Sequence, residues 1–167
     1  WSAAKLCGVT MQKRPKLDRS IPMNSIIPIV VLLALNTSLL ADENWLTNLE
    51  EAKKKAKSEK KLILLNFTGS DWCLPCVALK KKVFEGQEFK KYTPKNLVLL
   101  EVDFPRKAGK ISKEQLEYNK ELAKKFRVTQ YPTVVVASAS GQELHRELGF
   151  NGDSKAYLTR LKDAKFQ

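Results

Sequence analysis

The sequence predicts one α/β domain, a mixed central sheet with helices on both faces, because helical and strand patterns follow one another in the order α-β-α-β-α-β-β-α. The chain has 167 residues, which leaves room for one domain once an N-terminal leader is set aside. A hydrophobic content of 43% is ordinary for a globular protein and too high for a disordered one. Such a core needs no disulfide cross-links, so the cysteines require another explanation.

The first elements follow from the spacing of apolar residues. Residues 44–61 show the pattern of an amphipathic helix. The continuous apolar run 62–67 indicates a strand buried on both faces of the sheet. Residues 68–71 are a turn cluster, helical spacing resumes after Cys76, and a second short helix is predicted over residues 87–92.

The middle of the chain continues this alternation. Residues 97–103 predict the second strand, and an exposed loop follows at 106–110. Ser112 and Gln115 have the spacing of a capping box, which predicts a helix that ends near Phe126.

The last elements are a hairpin and a helix. Two strands, at residues 133–138 and 142–148, are joined through Ala139-Ser140-Gly141. Asp153 or Ser154 caps the final helix.

The N-terminal region has the layout of a secretory signal peptide. Basic residues precede an apolar run at 26–35, and a small residue, Ala41, comes just before Asp42. This apolar run is too short to span a bilayer. We predict a leader over residues 1–41 that is cleaved after Ala41, and a domain over residues 42–167 that is exported to the bacterial periplasm or secreted. A buried N-terminal helix and an uncleaved membrane anchor are the alternatives.

The net charge of +12 raises the question of a nucleic-acid partner. The basic residues are nearly all lysines and are interleaved with glutamates in the helical segments. Neither an Arg-rich stretch nor the aromatic interleaving of a base-stacking platform is present. We therefore interpret the charge as a solvated, lysine-rich surface, with weak attraction to anionic surfaces, and predict no nucleic-acid partner.

Two cysteines three residues apart stand at a strand-to-helix turn. If Cys73 caps the helix, its sulfur meets free N–H groups and the positive end of the helix dipole, which favour the attacking thiolate. Cys76, one turn further, is near enough to displace a mixed disulfide, and Pro75 is tolerated in a first turn. A four-residue ring stabilises the fold by only about 2 kcal/mol, against about 4.7 kcal/mol for a hundred-residue loop. This small contribution to stability favours a redox-active disulfide, formed and broken during catalysis, over a structural one.

Metal binding is the other use of such a pair. A zinc site needs four ligands, whereas residues 42–167 offer two thiols and the single His145, which we interpret as a surface or packing residue. Two-coordinate Cu(I) needs only the two thiolates, so a Cu(I)-handling binding protein stays open as the alternative function. A non-catalytic interaction module is a third hypothesis. We predict no bound metal and no cofactor other than the cysteine pair.

These motifs resemble those of the thioredoxin-like family. Trp72-Cys73-Leu74-Pro75-Cys76 resembles the thioredoxin active site, and Tyr131-Pro132-Thr133 resembles the cis-proline loop of that family. The turn before the cysteines is similar to that of exported bacterial members, including the C-terminal domain of the membrane thiol:disulfide interchange reductases. The resemblance covers residues 45–165 and implies a thioredoxin fold and a protein thiol–disulfide oxidoreductase.

The resemblance also implies roles for individual residues. Cys73 would be the nucleophile and Cys76 the resolving thiol. Pro132, preceded by Tyr131, would be cis, would block metal capture by the thiols and would present backbone groups to an extended substrate strand. Gly149 would let the substrate backbone approach.

The remaining support residues include one departure from the family. Trp72 would act as a lid beside the cysteines. Thioredoxins carry a buried Asp on the preceding strand, whereas this chain has Asn66, whose amide is no base. Deprotonation of Cys76 would then use water or another group such as Glu101 or Asp103.

The spacer between the cysteines bears on the direction of electron flow. Leu74 and Pro75 offer neither a charge nor a side-chain donor, and Lys80–Lys82 lie roughly 10 Å along the helix, where salt screens them. A strongly stabilised Cys73 thiolate would favour the reduced form of the pair and make the enzyme an oxidant. Because these residues give the thiolate little stabilisation, we expect a reductant or exchange enzyme instead. Its partners would be proteins with disulfides or thiols and a membrane electron donor, and we expect a monomer.

Overall fold

The computed structural model describes residues 45–164. The predicted leader and its cleavage site lie outside these residues. The helices are α1 (Leu49–Glu59), α2 (Leu74–Leu79), α3 (Gln87–Asn96), α4 (Lys113–Lys125) and α5 (Ser154–Asp163), with a π-helical turn at Lys80–Phe84 after α2. The strands are β1 (Leu62–Thr68), β2 (Leu97–Asp103), β3 (Thr133–Ala137) and β4 (Glu143–Leu148). No helix in the described part of the chain is long and apolar enough to cross a membrane.

The four strands form one mixed sheet in the order β2-β1-β3-β4. β1 runs parallel to β2 and antiparallel to β3, and β3 and β4 form the predicted hairpin. β1 is buried on both faces, as its continuous apolar run predicts. Ile63 and Phe67 pack with α1 and the end of α4, whereas Leu64 packs with α2, α3 and α5 on the other face.

The predicted first helix is too long at its N-terminal end. α1 begins at Leu49 because the side chain of Asn48 accepts the N–H groups of the next turn, at 2.9 and 3.1 Å. Leu46 is bonded to β2 instead: its N–H donates to the Leu99 carbonyl at 2.9 Å, and its own carbonyl accepts the N–H of Glu101 at 2.8 Å. Because its backbone pairs with the open edge of β2, Leu46 is not part of the helix.

The third helix is longer than predicted. It continues past Tyr92 to Asn96, because Phe89 and Thr93 are both buried and keep the last turn against the core. Pro94 lies within that turn, where the Thr93 hydroxyl also donates to the Phe89 carbonyl at 2.8 Å.

The caps of the last two helices are formed by side chains. Ser112 Oγ accepts the N–H of Gln115 at 3.1 Å, as the capping-box spacing predicts. The reciprocal bond is not made, since the Gln115 amide donates to Asn119 Oδ1 at 2.8 Å. Asp153 is the cap of α5, and its side chain accepts the N–H of Ala156 at 3.0 Å.

Candidate active site

The cysteine pair lies where β1 turns into α2. Cys73 is the N-cap of α2 and has an extended backbone, and Pro75 lies in the first turn. Cys73 and Cys76 form a disulfide with their Cα atoms 5.2 Å apart. The Cys73 sulfur also accepts the backbone N–H of Cys76 at 3.3 Å. The nucleophile position predicted from the sequence therefore faces the N-terminal end of the helix.

The disulfide lies beneath an apolar surface. Cys73 and Cys76 are only 5% and 3% exposed. Leu74, between them, is 81% exposed, and Val77 is 46% exposed. An incoming protein meets these apolar side chains before it reaches the sulfurs.

Trp72 is held on four sides beside the cysteines. Its Nε1 donates to the Phe104 carbonyl at 2.7 Å, and its ring meets that of Tyr131 edge-on with centroids 5.7 Å apart. The Arg106 guanidinium lies 4.5 Å from the ring centroid. The ring also occupies the space over Gly69 that a side chain would need. Trp72 is thus a fixed wall of the site.

The proline loop completes the same edge of the sheet. The Tyr131–Pro132 bond is cis, as the resemblance implies, and the Pro132 carbonyl accepts the N–H of Gly149 at 2.8 Å. Tyr131 contacts Phe104, with ring centroids 5.3 Å apart. Gly149 has a φ of +69°, and a Cβ built on it would meet no atom within 4 Å. Backbone conformation, and not close packing, accounts for this glycine.

Asn66 lies on β1 in register with Glu101 of β2 and Val134 of β3. Its side chain is buried, and its Oδ1 has no hydrogen-bond partner within the described residues. Strand alternation places Asn66 on the same sheet face as Leu64, which packs against α2. A buried acceptor without a partner therefore lies behind the cysteine helix.

The two carboxylates named as alternatives differ in their surroundings. Asp103 is fully engaged: it accepts the Ser70 N–H at 2.9 Å and the Ser70 hydroxyl, and Lys110 Nζ lies 4.0 Å away. Glu101 makes no hydrogen bond through its carboxylate within the described residues. Burial raises the pKa of Glu101, repulsion from Asp103 adds to the rise, and Lys80 and Lys110 oppose it. Of the two carboxylates, only that of Glu101 is without a hydrogen bond in the described part of the chain.

The loop after β2 is hydrogen-bonded to the active-site turn, a link that was not predicted from the sequence. Both oxygens of Asp71 accept backbone N–H groups, from Arg106 and Lys107, each at 2.9 Å. These two bonds lower the pKa of Asp71. The sequence predicts residues 106–110 only as an exposed loop. The acidic Asp71, just before Trp72, is the one sequence feature that could have indicated these hydrogen bonds.

His145 lies away from the cysteines, on β4. Its Nε2 is 2.8 Å from Glu147 Oε1, and that carboxylate also accepts from Arg160 Nε at 2.9 Å. Residues 45–164 hold no group of three or more His, Cys, Asp or Glu side chains arranged to bind a metal ion.

Comparison with known proteins gives consistent matches. The family model described as thioredoxin-like matches residues 44–139. The disulfide bond reductase DsbH of Chlamydia pneumoniae is 38% identical over 115 residues, which is 68% of each chain. The thioredoxin-related protein DsbJ of the same organism is 28% identical over 114 residues, which is 68% of this chain and 32% of that protein. A solved structure of the oxidoreductase DsbH matches with a TM-score of 0.67 and 35% identity, covering 74% of this chain and 85% of that one.

The chain belongs to the thioredoxin-like family. It is a thiol–disulfide oxidoreductase with a thioredoxin fold, which confirms the fold and the enzyme class predicted from the sequence.

Proposed function

We propose that this enzyme reduces or exchanges disulfides in exported proteins, with Cys73 as the nucleophile and Cys76 as the resolving thiol. The observation that carries this proposal is the position of the Cys73 sulfur at the N-cap of α2, where it accepts the N–H of Cys76. After reduction, the same N–H and the helix dipole stabilise the Cys73 thiolate. The pair itself carries the electrons, without a further cofactor.

The proposed reaction has two exchanges. The Cys73 thiolate attacks a substrate disulfide, so that a mixed disulfide forms and one substrate thiolate leaves. Cys76, once deprotonated, attacks the Cys73 sulfur, and the second substrate thiolate leaves as the Cys73–Cys76 disulfide forms. Two electrons pass to the substrate, and a dithiol donor, proposed to be a membrane protein, must then reduce the enzyme again.

We assign the removal of the Cys76 proton to Glu101, directly or through a water molecule. Asp103 is committed to Ser70, whereas Glu101 has no such partner in the described part of the chain. Glu101 is in register with Asn66 on the sheet face that α2 covers. Its raised pKa also makes its carboxylate a better base for a thiol.

The spacer supports the reductive direction. Leu74 and Pro75 add no charge and no side-chain donor, so the Cys76 N–H is the one hydrogen bond that the described residues give to the Cys73 sulfur. The name of the DsbH relative, a disulfide bond reductase, agrees with this direction. Export is supported by the leader pattern in the sequence.

We further propose that an extended substrate segment lies between the exposed Leu74 and the Tyr131–Pro132 loop, with Trp72 as the wall and Gly149 as the open end. The enzyme is expected to act as a monomer on protein disulfides.

Reduction of insulin by dithiothreitol tests the proposal. The purified protein should accelerate the reaction, Cys73→Ser should abolish the acceleration, and Cys76→Ser should accumulate a mixed disulfide with insulin. Lys57→Gln, an exposed change on α1 away from the cysteines, is the control and should keep full activity. Equal rates with and without enzyme would contradict the proposal. Tight Cu(I) binding together with background insulin reduction would instead favour the Cu(I)-handling alternative.

A further inference from the structure

The surface on both sides of the cysteines is basic. Residues 72–84 and 104–113 contain no acidic residue. Their basic residues are Lys80, Lys81, Lys82, Arg106, Lys107, Lys110 and Lys113. The nearby acids offset only part of this charge. The backbone N–H groups bonded to Asp71 lower its pKa and keep it charged, and Asp103 is buried against Ser70 with Lys110 Nζ 4.0 Å away.

The basic loop is fixed beside the site. Asp71 holds the backbone of Arg106 and Lys107 next to Trp72, and the Arg106 guanidinium lies over the Trp72 ring. Lys110 donates to Ser70 Oγ in the same turn. Arg106, Lys107 and Lys110 are all exposed, and we call these three residues the basic rim.

The basic rim has unused charge. The Lys107 side chain has no partner among the described residues, and the Arg106 guanidinium contacts an aromatic ring but no carboxylate. The apolar surface of Leu74 and Val77 lies next to the same cysteines. A segment that presents apolar residues to this surface and carboxylates to the basic rim would match both.

We propose that the enzyme prefers disulfides flanked by acidic residues, whose carboxylates bind the basic rim while the substrate segment crosses Leu74. This inference rests on the proposed disulfide reduction and names the class of substrate. Complementary charge raises the rate of encounter and favours one class of partner over others.

A single-stranded nucleic acid fits the rim less well. Binding of that kind relies on bases stacked on open aromatic faces. The face of Trp72 is occupied by Arg106, and its edge is packed on Tyr131.

The test uses three synthetic peptides that share one intramolecular disulfide and differ only in the flanking residues, which are Asp and Glu, Asn and Gln, or Lys. With dithiothreitol as the electron donor, kcat/KM at low salt should be about tenfold higher for the acidic peptide than for its amide counterpart, and lowest for the lysine peptide. This preference should shrink between about 0.02 M and about 0.5 M salt, because the Debye length shortens.

Lys107→Gln removes one charge of the basic rim and no side-chain contact. It should lower the acidic-to-amide ratio about two- to threefold, the effect of one unit charge at roughly 7 Å in water. Lys57→Gln is the matched control. Lys57 is exposed on the last turn of α1, which leads into the start of β1. It therefore lies near the N-terminal end of β1, whereas the cysteines follow its C-terminal end.

The outcomes separate the two proposals. If no peptide is reduced faster than by dithiothreitol alone, disulfide reduction itself is wrong. If all three are reduced with the same kcat/KM, or if Lys57→Gln changes the ratio as much as Lys107→Gln, the acidic preference is wrong. It is also wrong if Lys107→Gln lowers binding to phosphatidylglycerol vesicles while the peptide ratio stays unchanged, because the basic rim would then serve a membrane surface.

Discussion

The indole of Trp72 lies over the backbone of Gly69, in the space where any other residue would place its side chain. A Cβ built on Gly69 would be 2.4 Å from Cε2 of Trp72. The Gly69 carbonyl also accepts the N–H groups of Trp72 and Cys73, at 3.3 and 2.9 Å. Gly69 therefore has two effects: its missing side chain leaves room for the Trp72 ring, and its carbonyl begins the hydrogen-bonded turn that leads into the cysteines.

Gly69→Ala should displace the Trp72 ring, because the methyl group and the indole cannot share this space. We expect a loss of about 1–3 kcal/mol in the free energy of unfolding, a several-fold loss of insulin reduction and a change in tryptophan fluorescence. A double-mutant cycle provides the control. Gly69→Ala should cost little in the background of Trp72→Ala, and an equal cost in both backgrounds would show that the ring is not the cause.

Glu101→Gln tests the effect of burying Glu101 through the pH dependence of the free energy of unfolding. Burial raises the pKa of Glu101 above its ordinary value of 4.5, so the folded state binds the proton more tightly than the unfolded state. The wild-type protein should lose this contribution to stability as pH rises from about 4.5 through the raised pKa. Glu101→Gln should remove that loss and be more stable than the wild type at neutral pH.

The same variant should slow the chemistry. If Glu101 accepts the Cys76 proton, Glu101→Gln should lengthen the lifetime of the mixed disulfide and leave the attack by Cys73 unchanged. Quenched-flow trapping of both steps with insulin measures the two rates. Lys95→Gln, an exposed change in α3, is the control. A slower first step with a normal second step would contradict the assignment.

Asn119 supports the end of β2 from beneath. Its Nδ2 donates to the Asp103 carbonyl at 2.7 Å, and its side chain is 2% exposed. Asn119→Ala leaves that carbonyl unpaired in the core, so urea unfolding should show a loss of about 1–3 kcal/mol. Gln142→Ala, at an exposed position, should stay within about 0.5 kcal/mol of the wild type. A similarly small change for Asn119→Ala would rule out the bond as a support.

The leader prediction is tested by export. When the full chain is expressed in a Gram-negative host, the periplasmic product should have the mass of a chain that begins at Asp42. Ala41→Arg should accumulate the precursor, whereas Ala41→Ser, which keeps a small residue, should still be processed. An uncleaved product in the membrane fraction would favour the anchor alternative.

Features set by local patterns could be predicted from the sequence. The apolar runs gave β1 and β2, and turn chemistry together with the position of Pro75 placed Cys73 at a helix cap. Ser112 marked the start of α4 for the same local reason. Such signals are complete within a few residues.

Features set by long-range pairing could not be predicted. Leu46 has helical spacing, but its backbone is hydrogen-bonded to Leu99 and Glu101 of β2, and α1 begins only at Leu49. The placement of Glu101 beside Asn66 depends on the register between two strands, which neither strand specifies alone. The bonds from Asp71 to the loop join residues 35 and 36 positions apart and leave no periodic pattern.

The reduction potential of the Cys73–Cys76 pair tests the central claim of reductive exchange most directly. Equilibration with defined dithiothreitol or glutathione ratios, followed by thiol trapping, gives the value. The uncharged spacer and the single N–H donor to Cys73 predict a potential near that of a thioredoxin, about −270 mV. A potential near about −120 mV, that of a strong oxidant, would contradict the account.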